Sequence, residues 1–225
     1  MFLDPRYFVY VFPAILLVIY AQMKVKSTFA EFSRYRTRLG YTGGEVARGL
    51  LDKAGLHDVP VEMSRGWLSD HYDPLKKVLR LSPEVYQSNS VASVGVAAHE
   101  VGHALQDQKG YLPLRVRTGL FPLTAAGSQL GPILVILGVI FRFGGLINIG
   151  IVLFSAAVFF TLITLPVEFN ASRRAVAQLV QGGYVSDQEV AGVKKVLSAA
   201  SLTYVAAAAQ AILTLLYYLS LRNRR

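Results

Sequence analysis

"SVGVAAHEVGHALQDQ", Ser93–Gln108, sets two histidines and a glutamate into a run that is otherwise small and apolar. The chain holds four histidines in 225 residues, and two of them stand four apart here. On an α-helix, residues i and i+4 lie one above the other on the same face. Val96, Ala97, Ala98, Val101, Gly102, Ala104 and Leu105 make the surroundings those of a buried helix. Burying Glu and His without partners costs several kcal/mol, and a metal ion removes that cost. The stretch therefore predicts a buried helix from which His99 and His103 offer nitrogens to one cation, at about 2.0–2.1 Å each. Glu100 is turned to the flank, where a metal-bound water would sit. In this HExxH arrangement the Glu takes a proton from that water, and a peptide carbonyl is the electrophile.

Working outward, the composition asks for a bilayer. Hydrophobic residues make up 53% of the chain and charged residues only 16%, well under the roughly 25% charged content of soluble proteins. Four stretches have the ~20 apolar residues needed to span a hydrocarbon core. They run from about Tyr7 to Met23, Leu120 to Phe141, Leu146 to Val167 and Ala199 to Leu221. Pro13 is a tolerated kink in the first, which lacks the basic start and the small-residue cleavage site of a signal peptide. "RFGG" leaves a very short turn between the second and third, which form a helical hairpin. The domain reading is 1–23 for the first span, 24–118 for a polar region, 119–167 for the hairpin, 168–198 for a second polar piece, and 199–225 for the last span with its basic tail. The absence of cysteine excludes disulfides, Cys–zinc sites and thiol nucleophiles. A net charge of +9 fits basic segments beside anionic headgroups. No nucleic-acid motif is present, and nucleic acid is excluded as a partner.

Within the polar region, "KVKSTFAEFSRYRTR" is expected as a basic amphipathic helix against headgroups. Thr42 to Glu45 is a capping box, followed by the apolar stripe Val46, Leu50, Leu51 and Ala54 and the stop signal Gly55. "VPVEM" and "KKVLRLS" are strand candidates. The second is either an edge strand that receives an extended substrate by β-augmentation or a plain core strand. Ser and Asn residues before the HEVGH segment suit a helix N-cap.

A catalytic zinc needs a third protein ligand. His57 and His71 lie upstream, and Glu168 in "TLPVEFNASRRAVAQLV" lies downstream. Two spans separate the polar region from Glu168, so both emerge on the same membrane face. A carboxylate at the end of a span is costly unless it has a use, either as a ligand or as an interfacial partner of Arg173 or Arg174.

"HEVGHALQ", a two-helix membrane hairpin and "LPVEFNASRRA", together with "DHYDPLKKVLRLSPEVY", resemble the bacterial membrane zinc metallopeptidases of the YugP type. More distantly they resemble the heat-shock and prenyl-protein membrane proteases, which share a gluzincin layout. The resemblance covers almost the whole chain. It implies a mainly α integral membrane protein with about four transmembrane helices and a small α+β, gluzincin-like catalytic unit at one membrane face. It also implies one Zn2+ per chain on His99, His103 and Glu168, with Glu100 as the catalytic base. The distant relatives commonly carry an Asp four residues after the ligand Glu, where this chain has Ser172, so a carboxylate orienting a ligand His has to come from elsewhere; Asp70 and Asp73 are candidates.

Smaller expectations attach to His71, as oxyanion stabiliser, substrate contact or polar loop residue, and to Arg173, near the tetrahedral intermediate or at headgroups. Lys24, Lys26, Arg34, Arg36, Arg38, Arg115, Arg117, Arg173 and Arg174 flank the helix ends on the polar face, against Arg6, Arg142 and the C-terminal arginines opposite. The positive-inside rule then expects a multi-pass cell-membrane protein with a cytoplasmic catalytic face. The expected partners are the lipid bilayer and a peptide or membrane-protein substrate, with a homo-oligomer or another membrane partner left open. A non-proteolytic scaffold with a structural metal is the other class of function, against which Glu100 argues, because a structural site needs no base. A transporter is disfavoured by the near absence of charge within the spans.

Overall fold

The computed structural model describes residues 5–66 and 69–222; Arg224 and Arg225 of the basic tail lie outside them. In chain order the described residues form α1 (Pro5–Tyr10), α2 (Phe12–Phe32), α3 (Gly43–Lys53), β1 (Val61–Met63), β2 (His71–Asp73), β3 (Val78–Leu81), α4 (Pro83–Gln87), α5 (Val91–Gln108), α6 (Leu112–Ile140), α7 (Gly144–Gly182) and α8 (Asp187–Arg222). The protein is mainly α. Among the described residues four helical stretches are long and apolar enough to cross a membrane: Pro5–Phe32, Leu112–Ile140, Gly144–Gly182 and Asp187–Arg222. Two compact units share these helices.

The first unit comprises residues 1–22, 112–166 and 202–225. Its hairpin turns at Phe141–Phe143, where Arg142 takes a positive φ of 55° and the Phe143 amide closes on the Gly138 carbonyl at 2.9 Å. α6 and α7 approach so closely that a Cβ on Gly150 would lie 2.6 Å from the Gly131 carbonyl oxygen. In lipid, where apolar burial gives helices no reason to associate, such small-residue contacts let backbones pack. Tyr217 and Tyr218 of α8 pack with Val11, Val135, Ile147 and Ile151, and Arg6 Nη1 donates to the Ser220 carbonyl at 2.8 Å. Phe121, Leu130, Ile133 and Val152 are bare, the surface a hydrocarbon solvent requires.

The second unit comprises residues 23–111 and 167–201 and is built around α5. Ser90 caps that helix by accepting from the Ser93 amide at 3.1 Å. Gly110, at φ 61°, ends it, with the Tyr111 amide bonded back to the Gln106 carbonyl, a six-to-one closure that spares orphan carbonyls. The Thr42–Glu45 capping box opens α3, whose Val46, Ala47, Leu50 and Leu51 join the α5 core. The sheet order is β1-β3-β2, with β1 parallel and β2 antiparallel to β3. "KKVLRLS" is thus the central strand, not an edge: Val78, Leu79 and Leu81 are all buried and both neighbours pair with it.

Three further expectations change. "SDHYDP" is a strand, β2, joined to β3 by a turn in which Asp73 Oδ1 accepts the amides of Leu75 and Lys76 at 3.0 Å each. The basic segment after the first span is not a separate amphipathic helix; α2 runs unbroken to Phe32. Likewise the piece after the hairpin continues α7 to Gly182, because neither Gly nor Pro occurs between Pro166, which the helix tolerates, and Gly182, after which Gly183 takes φ 71°.

Gly102 is where α5 meets α7. A Cβ there would stand 2.6 Å from the Ala171 carbonyl oxygen, a backbone atom with no rotamer to adopt. Gly102→Ala should destabilise the protein by about 1–3 kcal/mol, as overpacking does. Gly95→Ala, whose Cβ meets only the Val193 side chain at 3.3 Å, should cost less. Thermal unfolding of both variants in detergent checks the order.

Candidate metal centre

α5 supplies His99, Glu100 and His103 from consecutive turns, and α7 brings Glu168 against them. The crossing at Gly102 and Ala171 makes this approach possible, since Ala171 lies one turn beyond Glu168. Glu168 is 1% exposed. Its Oε2 lies 3.1 Å from His99 Nε2 and 3.6 Å from His103 Nε2. The imidazole rings are 4.8 Å apart and nearly perpendicular. Among the described residues, the three donor atoms lie within 4.8 Å of one another.

This donor set fits zinc. Two ligands each about 2.1 Å from a tetrahedral ion stand about 3.4 Å apart, and the two distances to Glu168 bracket that value. The other ring nitrogens point outward to partners: His99 Nδ1 is 3.2 Å from Ser172 Oγ, and His103 Nδ1 is 3.0 Å from Gln106 Oε1. Second partners of this kind orient metal-binding imidazoles. Each of the three side chains offers one donor atom to a cation placed among them.

Glu100 is buried beside this group, and its Oε2 accepts the Tyr72 amide at 3.0 Å. Burial pushes its carboxyl up to about 7; His99 and the Tyr72 amide pull it down, while Glu168 and Asp70 push it further up. A proton carrier works best with a pKa near the operating pH. Tyr72 is fixed at both ends, since its hydroxyl donates to Asp107 Oδ2 at 2.7 Å, the carboxylate that Lys77 also pairs with. Burial and Asp107 drive that phenol far above its ordinary range.

The remaining sequence candidates are not among the three converging donor groups. His71 is exposed on β2, its Nδ1 donating to the Ser69 carbonyl at 2.8 Å, and Arg173 is exposed on α7. Asp70 accepts from the Ser82 amide and hydroxyl, and Asp73 from its own turn. Neither carboxylate is the orienting partner of a ligand His; the neutral groups Ser172 and Gln106 stand there. Arg174 donates from Nε to Asn170 Oδ1 at 2.7 Å. Gln106, Asn170 and Tyr72 carried no sequence signal of their own, although Gln106, three residues after His103, shares the helix face of that ligand.

A family profile described as "Putative neutral zinc metallopeptidase" matches residues 7–223. A protein of Bacillus subtilis (strain 168) named "Putative membrane protease YugP" is 51% identical over 205 residues, which is 91% of this chain and 91% of that protein. No solved structure matches the chain.

The Glu100 environment gives a pH dependence for the metal-free protein. Its folded pKa lies above the 4.5 of a free carboxyl, so its contribution to stability is full below about 4.5 and is lost as pH rises through 7. Glu100→Gln has no proton to lose. The stability of that variant relative to the parent should therefore rise between pH 5 and pH 8 in chelator-treated samples, and a gap independent of pH would contradict the assignment.

Proposed function

This chain belongs to the neutral zinc metallopeptidase family, and on that premise we propose that it is a membrane-embedded zinc endopeptidase that hydrolyses peptide bonds of membrane proteins or their juxtamembrane segments. The convergence of His99 Nε2, His103 Nε2 and Glu168 Oε2 beside a buried Glu100 carries the proposal. Three protein ligands leave a fourth position for water or substrate, the pattern of catalytic zinc rather than of a closed structural site. A gluzincin layout, with the third ligand a Glu on a later helix, is the one these residues match.

When bound, zinc supplies Lewis acidity, which lowers the pKa of a water toward about 7 and polarises a carbonyl. The chain does the rest. Glu100 takes the proton of the attacking water and delivers it to the leaving amine. The Tyr72 amide holds Oε2 of that carboxylate, leaving Oε1 to exchange the proton. Ser172 and Gln106 keep the two imidazoles aimed. His71 and Arg173 are exposed groups that would meet substrate or headgroups. The four apolar helices support a multi-pass membrane location, and the basic residues at the helix ends favour a cytoplasmic catalytic face.

Zinc content of the purified protein should be near one per chain and fall sharply in His99→Ala and Glu168→Ala; normal zinc in the latter removes Glu168 from the ligand set. Glu100→Gln should keep its zinc and lose cleavage of a membrane-protein substrate by several orders of magnitude. Activity retained in that variant defeats the mechanism. The chain has no cysteine, so Arg36→Cys reports orientation cleanly. An impermeant thiol reagent should label it only after cells are opened, and labelling of intact cells would reverse the proposed face.

A further inference from the structure

Hydrogen-bond polarity can be traced from Arg174 to a metal ligand without a free choice at any step. Arg174 Nε is always a donor, so the Asn170 atom 2.7 Å from it is the amide oxygen. That oxygen also lies 3.1 Å from one end of the Gln106 amide, and the Val167 carbonyl oxygen lies 2.8 Å from the same end. A carbonyl oxygen only accepts. Both neighbours therefore require that end of Gln106 to be its NH2, and the end facing His103 Nδ1 at 3.0 Å to be oxygen. His103 Nδ1 must then carry the proton. A neutral imidazole has one N–H, so Nε2 is left with its lone pair, facing Glu168.

We propose that Gln106 is a positioning residue that locks His103 in the Nδ1–H tautomer, and that Asn170 and Arg174 set the polarity of this lock. It rests on the zinc site proposed above and specifies how that site is kept ready to bind. Gln106 is 0% exposed, so no bulk water replaces a lost partner. A His103 with its proton on Nε2 would set an imidazole lone pair against the Gln106 oxygen and a proton where the metal must sit. The partner of His99 imposes no such order, because the Ser172 hydroxyl, 3.2 Å from Nδ1, either donates or accepts. The two ligands are therefore held differently: His103 is preset, while His99 takes its tautomer from what binds.

The test uses the full chain in detergent micelles, with zinc affinity measured by chelator competition. Gln106→Met keeps the length and apolar bulk of the side chain but has no amide oxygen, and it should weaken zinc binding about 10- to 100-fold. Gln106→Glu retains an acceptor toward His103, and in its protonated form also a donor toward Val167; it should stay within about threefold of the parent, as rescue by a conservative variant requires. Gln106→Met binding zinc like the parent, or Gln106→Glu falling as far as Gln106→Met, overturns the proposal. A purely space-filling or helix-clamping role predicts one or the other. The tautomer is read independently by 15N NMR of histidine-labelled, metal-free protein, with His103 assigned by its alanine variant. His103 should show Nδ1–H in the parent and a mixture in Gln106→Met. Nε2–H in the parent overturns the lock even if no variant folds. A parent chain that takes up no zinc defeats the metal site itself, and the tautomer experiment still decides the lock.

Discussion

The contact between the backbones of α5 and α7, with no side chain at Gly102 to hold them apart, is the constraint on which the site depends. Glu168 has a short side chain and a fixed place on a long helix. It reaches both imidazoles only because the Ala171 carbonyl can lie where a Cβ of residue 102 would otherwise stand. Once there, the carboxylate is almost wholly cut off from water. A buried anion of this kind is tolerated only with compensating charge and hydrogen bonds, which is why the proposed metal fits the place this geometry creates.

The same crossing organises the surroundings of the ligands. Glu168, Asn170, Ser172 and Arg174 are spread over about two turns of α7, together with Ala171, whose carbonyl meets Gly102, and Ala175, which joins the α5 core. One helix therefore delivers the Glu168 carboxylate, a hydroxyl for His99 and the polar anchors that fix Gln106 beneath His103. On the opposite flank, β2 brings the Tyr72 amide to Glu100 and its hydroxyl to Asp107, two turns further along α5. Glu100 and the two histidines thus stand on one helix but are braced from different elements. Burial of Glu100 and the neighbouring Glu168 carboxyl both raise the Glu100 pKa.

How much of this was legible depended on the range of the interaction. Helix identities followed from periodicity and composition, and the stops at Gly55 and the capping box at Thr42 followed from local backbone chemistry. Helix ends did not, because nothing in "EFNASRRAVAQLV" distinguishes a polar segment that continues a transmembrane helix from one that begins a new helix. The β2 strand was invisible at three residues, two of them polar, since its pairing partner rather than its own propensity makes it a strand. The central place of β3 was undecidable for the same reason: alternation tells which side chains are buried, not how many neighbours a strand has.

The sequence by itself determined the HExxH pattern of α5, the four apolar spans and the short hairpin, because each is written in residues close enough to interact along one helix or across one turn. It also offered Glu168 as the third ligand through topology and resemblance. Only the tertiary structure decided which groups steady the two histidines. Asp70 and Asp73, the carboxylates expected there, are occupied by the Ser82 region and by a hairpin turn, while Ser172 and Gln106 take that place. Sequence spacing cannot settle such a choice, because orientation at 3 Å between two helices is set by their crossing and by which side chains fill it, and both are properties of the packed core.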